Sequence, residues 1–197
     1  MAVDKIPSSL VEGTSLFLHN LLMALVVFLR GANVGGHRRV RPTVLAKKLS
    51  RYDVVNIGSA GTFVVCKPGS RSRFCSDLLR KLPFEGELAI CDSRDLLRLG
   101  KKPPFRTTQP RPGMVQFVSV LSKVCSAQPR LPLNIPSSGK WFVRVLGIRN
   151  RFVFGVYRRE MKTIGYLGQI DNLFGASAIT RNWNTINSIV KVLKEKT

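Results

Sequence analysis

A strand–helix–strand–strand–helix–strand order over residues 23–92, followed by a polar, proline-bearing break and a second strand-rich run that ends in a helix, predicts an α+β protein. The expected architecture is two tandem ferredoxin-like (α-β plait) halves, the second degenerate. The first half is expected over 23–92, a linker over 93–112 and the second half with a C-terminal helix over 113–197. Residues 1–22 are read as an N-terminal extension outside the fold, with 1–15 loosely attached, because their apolar residues lack sustained periodicity.

Ala24 to Leu29 is a continuous apolar run stopped by Arg30-Gly31, as expected of a strand buried on both faces. A glycine-rich loop follows. Val44, Leu45, Leu49 and Tyr52 then recur at helical spacing, with Pro42 suited to the first turn, where its missing N–H costs nothing. Val54–Ile57 and Thr62–Cys66 read as strands joined tightly through Gly58-Ser59-Ala60-Gly61. Phe74, Leu78, Leu79 and Leu82 mark a second amphipathic helix ended by Pro83, and Glu87–Cys91 a fourth strand. Leu96, Leu97 and Leu99 suggest one or two helical turns before the polar stretch Gly100–Pro112.

In the second half Val115–Leu121 reads as a strand, and Gln128–Ser138, with three prolines, as a loop standing where a plait would place a helix. Trp141–Ile148 and Phe152–Tyr157 form a hairpin about Arg149-Asn150-Arg151. Trp183, Ile186, Val190 and Leu193 form one helical stripe, with Thr180 as the expected N-cap. A gross duplication fits this division, although no residue-level repeat is visible.

Charge is the unusual quantity. Thirty-two Lys and Arg stand against eleven Asp and Glu, a net charge of +21 on 197 residues. A compact surface with that excess repels itself and favours an anionic partner, of which nucleic acid is the commonest. From Arg30 to Arg51 there are seven Lys or Arg and no acid, including Arg38, Arg39, Arg41, Lys47 and Lys48. A second basic group, Arg144, Arg149, Arg151, Arg158 and Arg159, interleaves with Trp141, Phe142, Phe152, Phe154 and Tyr157. Bases and phosphates are held by that mixture in single-strand binders, although each aromatic alone is more simply a core residue. The consensus of RNA-recognition domains is absent despite the shared topology.

Other chemistries find little support. The four cysteines at 66, 75, 91 and 125 form no CxxC pair, and His19 and His37 are the only histidines, so no zinc spacing is present. No metal or cofactor is expected. Reduced thiols fit a cytoplasmic protein. No catalytic residue is assigned: close carboxylate pairs, a GxSxG elbow and a supported Cys–His arrangement are all missing. Leu16–Leu29 is apolar but too short to span a bilayer, and it lacks the basic flank of a signal peptide.

Two motifs add a different argument. Phe28-Leu29-Arg30-Gly31-Ala32-Asn33-Val34-Gly35-Gly36 and Thr180-Arg181-Asn182-Trp183-Asn184-Thr185 resemble the LLRGINVGG-like start and TTRNWRT-like end of a bacterial family known as domain of unknown function 1697. Gly58-Ser59-Ala60-Gly61-Thr62-Phe63-Val64-Val65, Pro104-Phe105 and the strand at Val115 are similar to further family segments, so the resemblance runs from about Met23 to Leu193. It implies two ferredoxin-like subdomains and no assigned reaction. Arg30 to Gly36, between a strand and a helix, could cradle an anion on its backbone N–H groups or simply be a tight glycine turn. Arg181 reads as a structural clamp between the halves.

The expected function is therefore non-enzymatic binding of nucleic acid, RNA or single-stranded DNA, or of another polyanion. The alternative is a small-molecule-binding protein or enzyme whose pocket lies between the halves, lined by Arg30, Asn33, Gly35, Gly36, Ser59, Arg181 and Asn182.

Overall fold

The computed structural model describes residues 23–32, 40–105, 110–125 and 129–196. The extension at 1–22, and Asn33, Gly35, Gly36, Arg38 and Arg39 with their proposed anion cradle, lie outside the described residues.

The first half is a plait. It runs β1 (Leu25–Leu29), α1 (Pro42–Lys48), a short 3₁₀ turn (Ser50–Tyr52), β2 (Val54–Asn56), β3 (Thr62–Val65), α2 (Arg71–Arg80) and β4 (Leu88–Asp92). Its four strands lie in the order β2-β3-β1-β4, every neighbour antiparallel. All five residues of β1 are buried, as a central strand covered on both faces requires. Pro42 sits in the first turn of α1, and the Ser70 side chain caps α2 by accepting from the Arg73 N–H. One face of the sheet, with Leu25, Val27, Phe63 and Val65, packs on Leu45, Leu49, Phe74 and Leu78 of these helices.

The second half keeps the plait order with one replacement. Its elements are β5 (Met114–Leu121), β6 (Leu133–Ile135), β7 (Val143–Arg149), β8 (Phe152–Arg158), α4 (Thr163–Gly168), α5 (Ile170–Phe174), β9 (Ala178–Asn182) and α6 (Trp183–Lys196). The sheet runs β6-β7-β8-β5-β9. Removing β6 leaves β7-β8-β5-β9, the same 2-3-1-4 order as the first sheet. The segment expected as a plain loop thus contributes an edge strand, β6, where the first half has a helix. Phe117, Val143, Val145 and Val153 face Ile170 and Phe174 on one side.

Two expectations need correction. The linker assigned to 93–112 contains α3 (Ser93–Lys101), and its Leu96 and Leu99 are almost wholly buried. Thr180, expected to cap the helix, lies instead in the middle of β9, and the cap is Asn182, whose Oδ1 accepts from the Thr185 N–H at 2.8 Å.

Helices α3 and α6 pack together and fill a shared core. Val26, Phe28, Ala89 and Cys91 of the first sheet meet Val118, Val120, Phe152 and Ile179 of the second in one cluster with Leu96, Leu99, Trp183 and Ile186. Close approach of the helices depends on Gly100, because a Cβ there would lie 2.8 Å from Val190 Cγ1. The halves are therefore one packed body.

Candidate functional site: a basic aromatic cleft

Arginine is used here in two opposed ways. At the junction, three arginines spend their donors on the protein itself. Arg181 emerges from β9 into the core and donates to Thr62 Oγ1 at 2.7 Å, Leu29 O at 2.9 Å and Ala60 O at 2.6 Å. All three acceptors belong to the first half. Its own Thr180 carbonyl takes a further bond at 2.8 Å. Desolvation lowers its pKa to about 10, still far enough above neutrality to keep the charge. Arg151 bridges Leu121 O at 2.8 Å and Ile90 O at 2.9 Å, one on each side of the junction. Arg30 pairs with Glu87 at 3.0 Å, with Asp171 and with Ser177. Burial works to lower its pKa, but Asp171 and then Glu87 outweigh this and raise it.

These contacts correct two assignments. Arg151 belongs to the junction and not to an anion-binding surface. Arg30, offered as a lining of a pocket between the halves, is instead a tie between them, and Arg181, offered both as such a lining and as a clamp, acts as the clamp. Ser59 sits exposed in the β2–β3 turn, and Asn182 caps α6.

The second use of arginine lies at the far end of the five-stranded sheet. On its inner face, Val118, Val120, Phe152 and Phe154 are covered by the shared core. The same face continues past that cover through Gln116, Val156, Arg144 and Asn134, which stand opposite one another on β5, β8, β7 and β6. Here the sheet opens into a cleft of about 550 Å³. Phe105, Arg111, Trp141 and Leu146 join Gln116, Val156 and Arg144 in lining it, Asn134 standing behind Arg144, and none of the lining residues is acidic.

Trp141 is the centre of this arrangement. The Arg144 guanidinium carbon lies 4.3 Å from its ring centre and that of Arg158 4.5 Å, both within cation–π range. Each arginine is anchored through Nε: Arg144 to Asn134 Oδ1 at 2.7 Å, and Arg158 to the Trp141 carbonyl at 2.8 Å. Anchoring at Nε leaves the terminal nitrogens as a flat, charged donor edge.

The remaining basic candidates divide. Arg149 donates to Lys102 O at 2.8 Å beside the shared core. Arg159 is exposed and lines a smaller groove of about 120 Å³ with Gln116 and Asn182. Arg41 and Lys48 line a separate cleft of about 250 Å³ on the first half, with Lys81 as a third cation and no aromatic ring. Lys47 is exposed in the last turn of α1.

Among the interleaved aromatics Trp141 and the edge of the largely buried Phe154 line the cleft. Phe152 and Phe154 are buried, Tyr157 packs toward the opposite side near Phe117, and Phe142 stacks on Tyr166. Sequence reasoning missed Asn134, Arg111 and Gln116. Asn134 alone carried a signal, as a polar residue inside a short apolar run.

Other chemistry is not visible in the described residues. No cluster of three or more His, Cys, Asp or Glu side chains could hold a metal ion there. Burial pushes the Cys66 and Cys75 thiols up, and Cys91 up to about 12, the opposite of an activated nucleophile. No helix among the described residues is long and apolar enough to cross a membrane.

Fold and cleft together define an α+β protein of two fused plaits with a basic aromatic cleft on the second. A solved structure of a conserved bacterial protein from Streptococcus pneumoniae is similar, with a TM-score of 0.57 and 13% sequence identity, covering 87% of this chain and 98% of that chain. At this identity the likeness is one of fold. No family model matches the sequence, and no curated protein matches it.

Proposed function

We propose that this chain is a non-enzymatic binder of nucleic acid or a related polyanion, and that the cleft on the second sheet is its contact surface. The observation that carries this reading is Trp141 held against the guanidinium groups of Arg144 and Arg158, on an open sheet face whose cleft has no acidic lining residue. Fixed arginine edges suit phosphate, and the +21 charge supplies long-range attraction. The same reading keeps the kinship with the domain 1697 family, supported by the two end motifs and by the paired plaits that the kinship implies. It also keeps the cytoplasmic placement, supported by unpaired cysteines.

The test is a filter-binding titration of the full chain with single-stranded RNA or DNA at several salt concentrations. Retention should fall steeply with salt, each neutralised phosphate adding about −0.7 to the log–log slope. Replacing Arg111, Arg144 and Arg159 together with Ala should flatten the slope by about two units. Absence of retention at low salt would defeat the reading.

A small-molecule ligand is the second reading. The cleft volume favours it, since about 550 Å³ falls in the roughly 300–1,000 Å³ range of ligand clefts. Competition by a free mononucleotide or other small anion as effective as that by the oligonucleotide would select it.

A further inference from the structure

We infer that the cleft recognises an unpaired nucleobase, so that this protein selects single strands over duplexes and over polyanions without bases. The inference rests on the nucleic-acid reading above and narrows it.

Phosphate alone does not account for the lining. Phe105, Leu146, Phe154 and Val156 give the cleft an apolar wall beside its arginines. Leu146 is exposed at 41%. A sulfated or phosphorylated chain has no apolar surface to place against such a wall, whereas a nucleobase has two apolar faces and a polar edge. The fixed Arg144–Trp141 stack adds a flat platform. Bases stack on indole rings and on guanidinium planes alike, and a guanidinium already anchored by Asn134 loses little freedom on doing so.

The cleft on the first half supplies an internal contrast. It has three cations, Arg41, Lys48 and Lys81, around Val40, Val44, Leu45 and Pro83, but no ring on which a base could stack. It is suited to phosphate contact that ignores base pairing. A duplex turns its base faces inward and offers its backbone and base edges, but no face to stack. A single strand can place a phosphate on the donor edge of Arg144 and lay its base on the outer face of the Arg144–Trp141 stack at once.

Tryptophan emission reports directly on the idea. The chain has two tryptophans; Trp183 is 7% exposed in the shared core, and Trp141 lines the cleft. The experiment compares an oligothymidylate, a duplex of equal length and heparin at one salt concentration, using wild type, Trp141→Leu, Trp141→Phe and Arg144→Lys. Wild type should bind the single strand tightest, with quenched emission. Trp141→Leu should weaken single-strand binding about tenfold and leave heparin binding unchanged, while Trp141→Phe retains most of the preference. Arg144→Lys keeps the charge but loses the plane, and should reduce the single-strand preference in the same direction. Far-ultraviolet circular dichroism and Trp183 emission confirm folding of each variant. Equal binding of all three ligands by wild type, without quenching, overturns base recognition and leaves polyanion binding standing. Failure to bind any of them at low salt removes both.

Discussion

The inner faces of the two sheets start from the same strand order and end differently. On the first sheet Val26, Phe28, Val64, Ala89 and Cys91 are all in the shared core. On the second, cover stops between the Val118 and Gln116 rows, and the face beyond it carries arginine, asparagine and an indole ring. The first half has a helix after its first strand, whereas the second has β6 at the sheet edge. That replacement supplies Asn134, the residue that orients Arg144. Degeneration of the plait and construction of the cleft are therefore one structural event. The first sheet's face holds the molecule together, and the second's has been left partly open.

The sharpest way to break this comparison is in the row next to the open one, where Gly155 stands opposite Phe117 and Val145. A Cβ on Gly155 would lie 2.1 Å from the main-chain oxygen of Arg144 and 3.0 Å from the Phe117 ring. Backbone cannot yield as a flexible side chain can, so Gly155→Ala should force β7 and β8 apart and cost about 4 kcal/mol in denaturant melts. A loss below about 1 kcal/mol would show that the pairing behind Arg144 is not as described.

The junction comes next. Arg181→Met keeps an apolar stem but strands the carbonyls of Leu29 and Ala60 and the Thr62 hydroxyl. The expected loss is about 2–3 kcal/mol, below a simple sum because the variant also no longer buries a charge. Arg151→Ala removes two carbonyl contacts from a half-buried position and should cost about 1 kcal/mol. If the halves were independent domains, both variants would leave the melting transition in place.

The first half was legible because each element carried one period and clear punctuation. Pro42 opened a helix, Pro83 followed one, and the Gly58–Gly61 turn joined two β-branched runs. The second half hid more. β9 puts Arg181 inward, where strand alternation calls for an apolar residue, so its pattern did not register. Helices α4 and α5 are short, and the first contains Gly165 and ends at Gly168, which depresses helix propensity. Arg144, Arg158 and Trp141 were visible as alternating residues of a hairpin. Their separation from Arg30 and Arg151 was not, because an arginine that caps carbonyls in the core and one that awaits an anion look alike in sequence. Only cross-strand neighbours such as Asn134 distinguish them.

The smallest expected effect sharpens the sealed side of the comparison. Cys91 lies at 1% exposure on the first sheet's inner face, and burial pushes its thiol from an ordinary 9.0 up to about 12. The unfolded chain gives up this proton near pH 9, the folded protein only near 12. Between those values the folded state holds more protons, so the stability present below pH 9 is lost as pH rises toward 12. Cys91→Ala should flatten that part of the pH–stability curve. At pH 8 a thiol reagent should leave Cys91 untouched in the native protein while reaching the half-buried Cys66, Cys75 and Cys125. Val156→Cys, placed in the cleft, should add one promptly reacting thiol to the wild-type number. A Cys91 that reacts as fast as Cys66 would mean the first face is not sealed, and the asymmetry between the sheets would be lost.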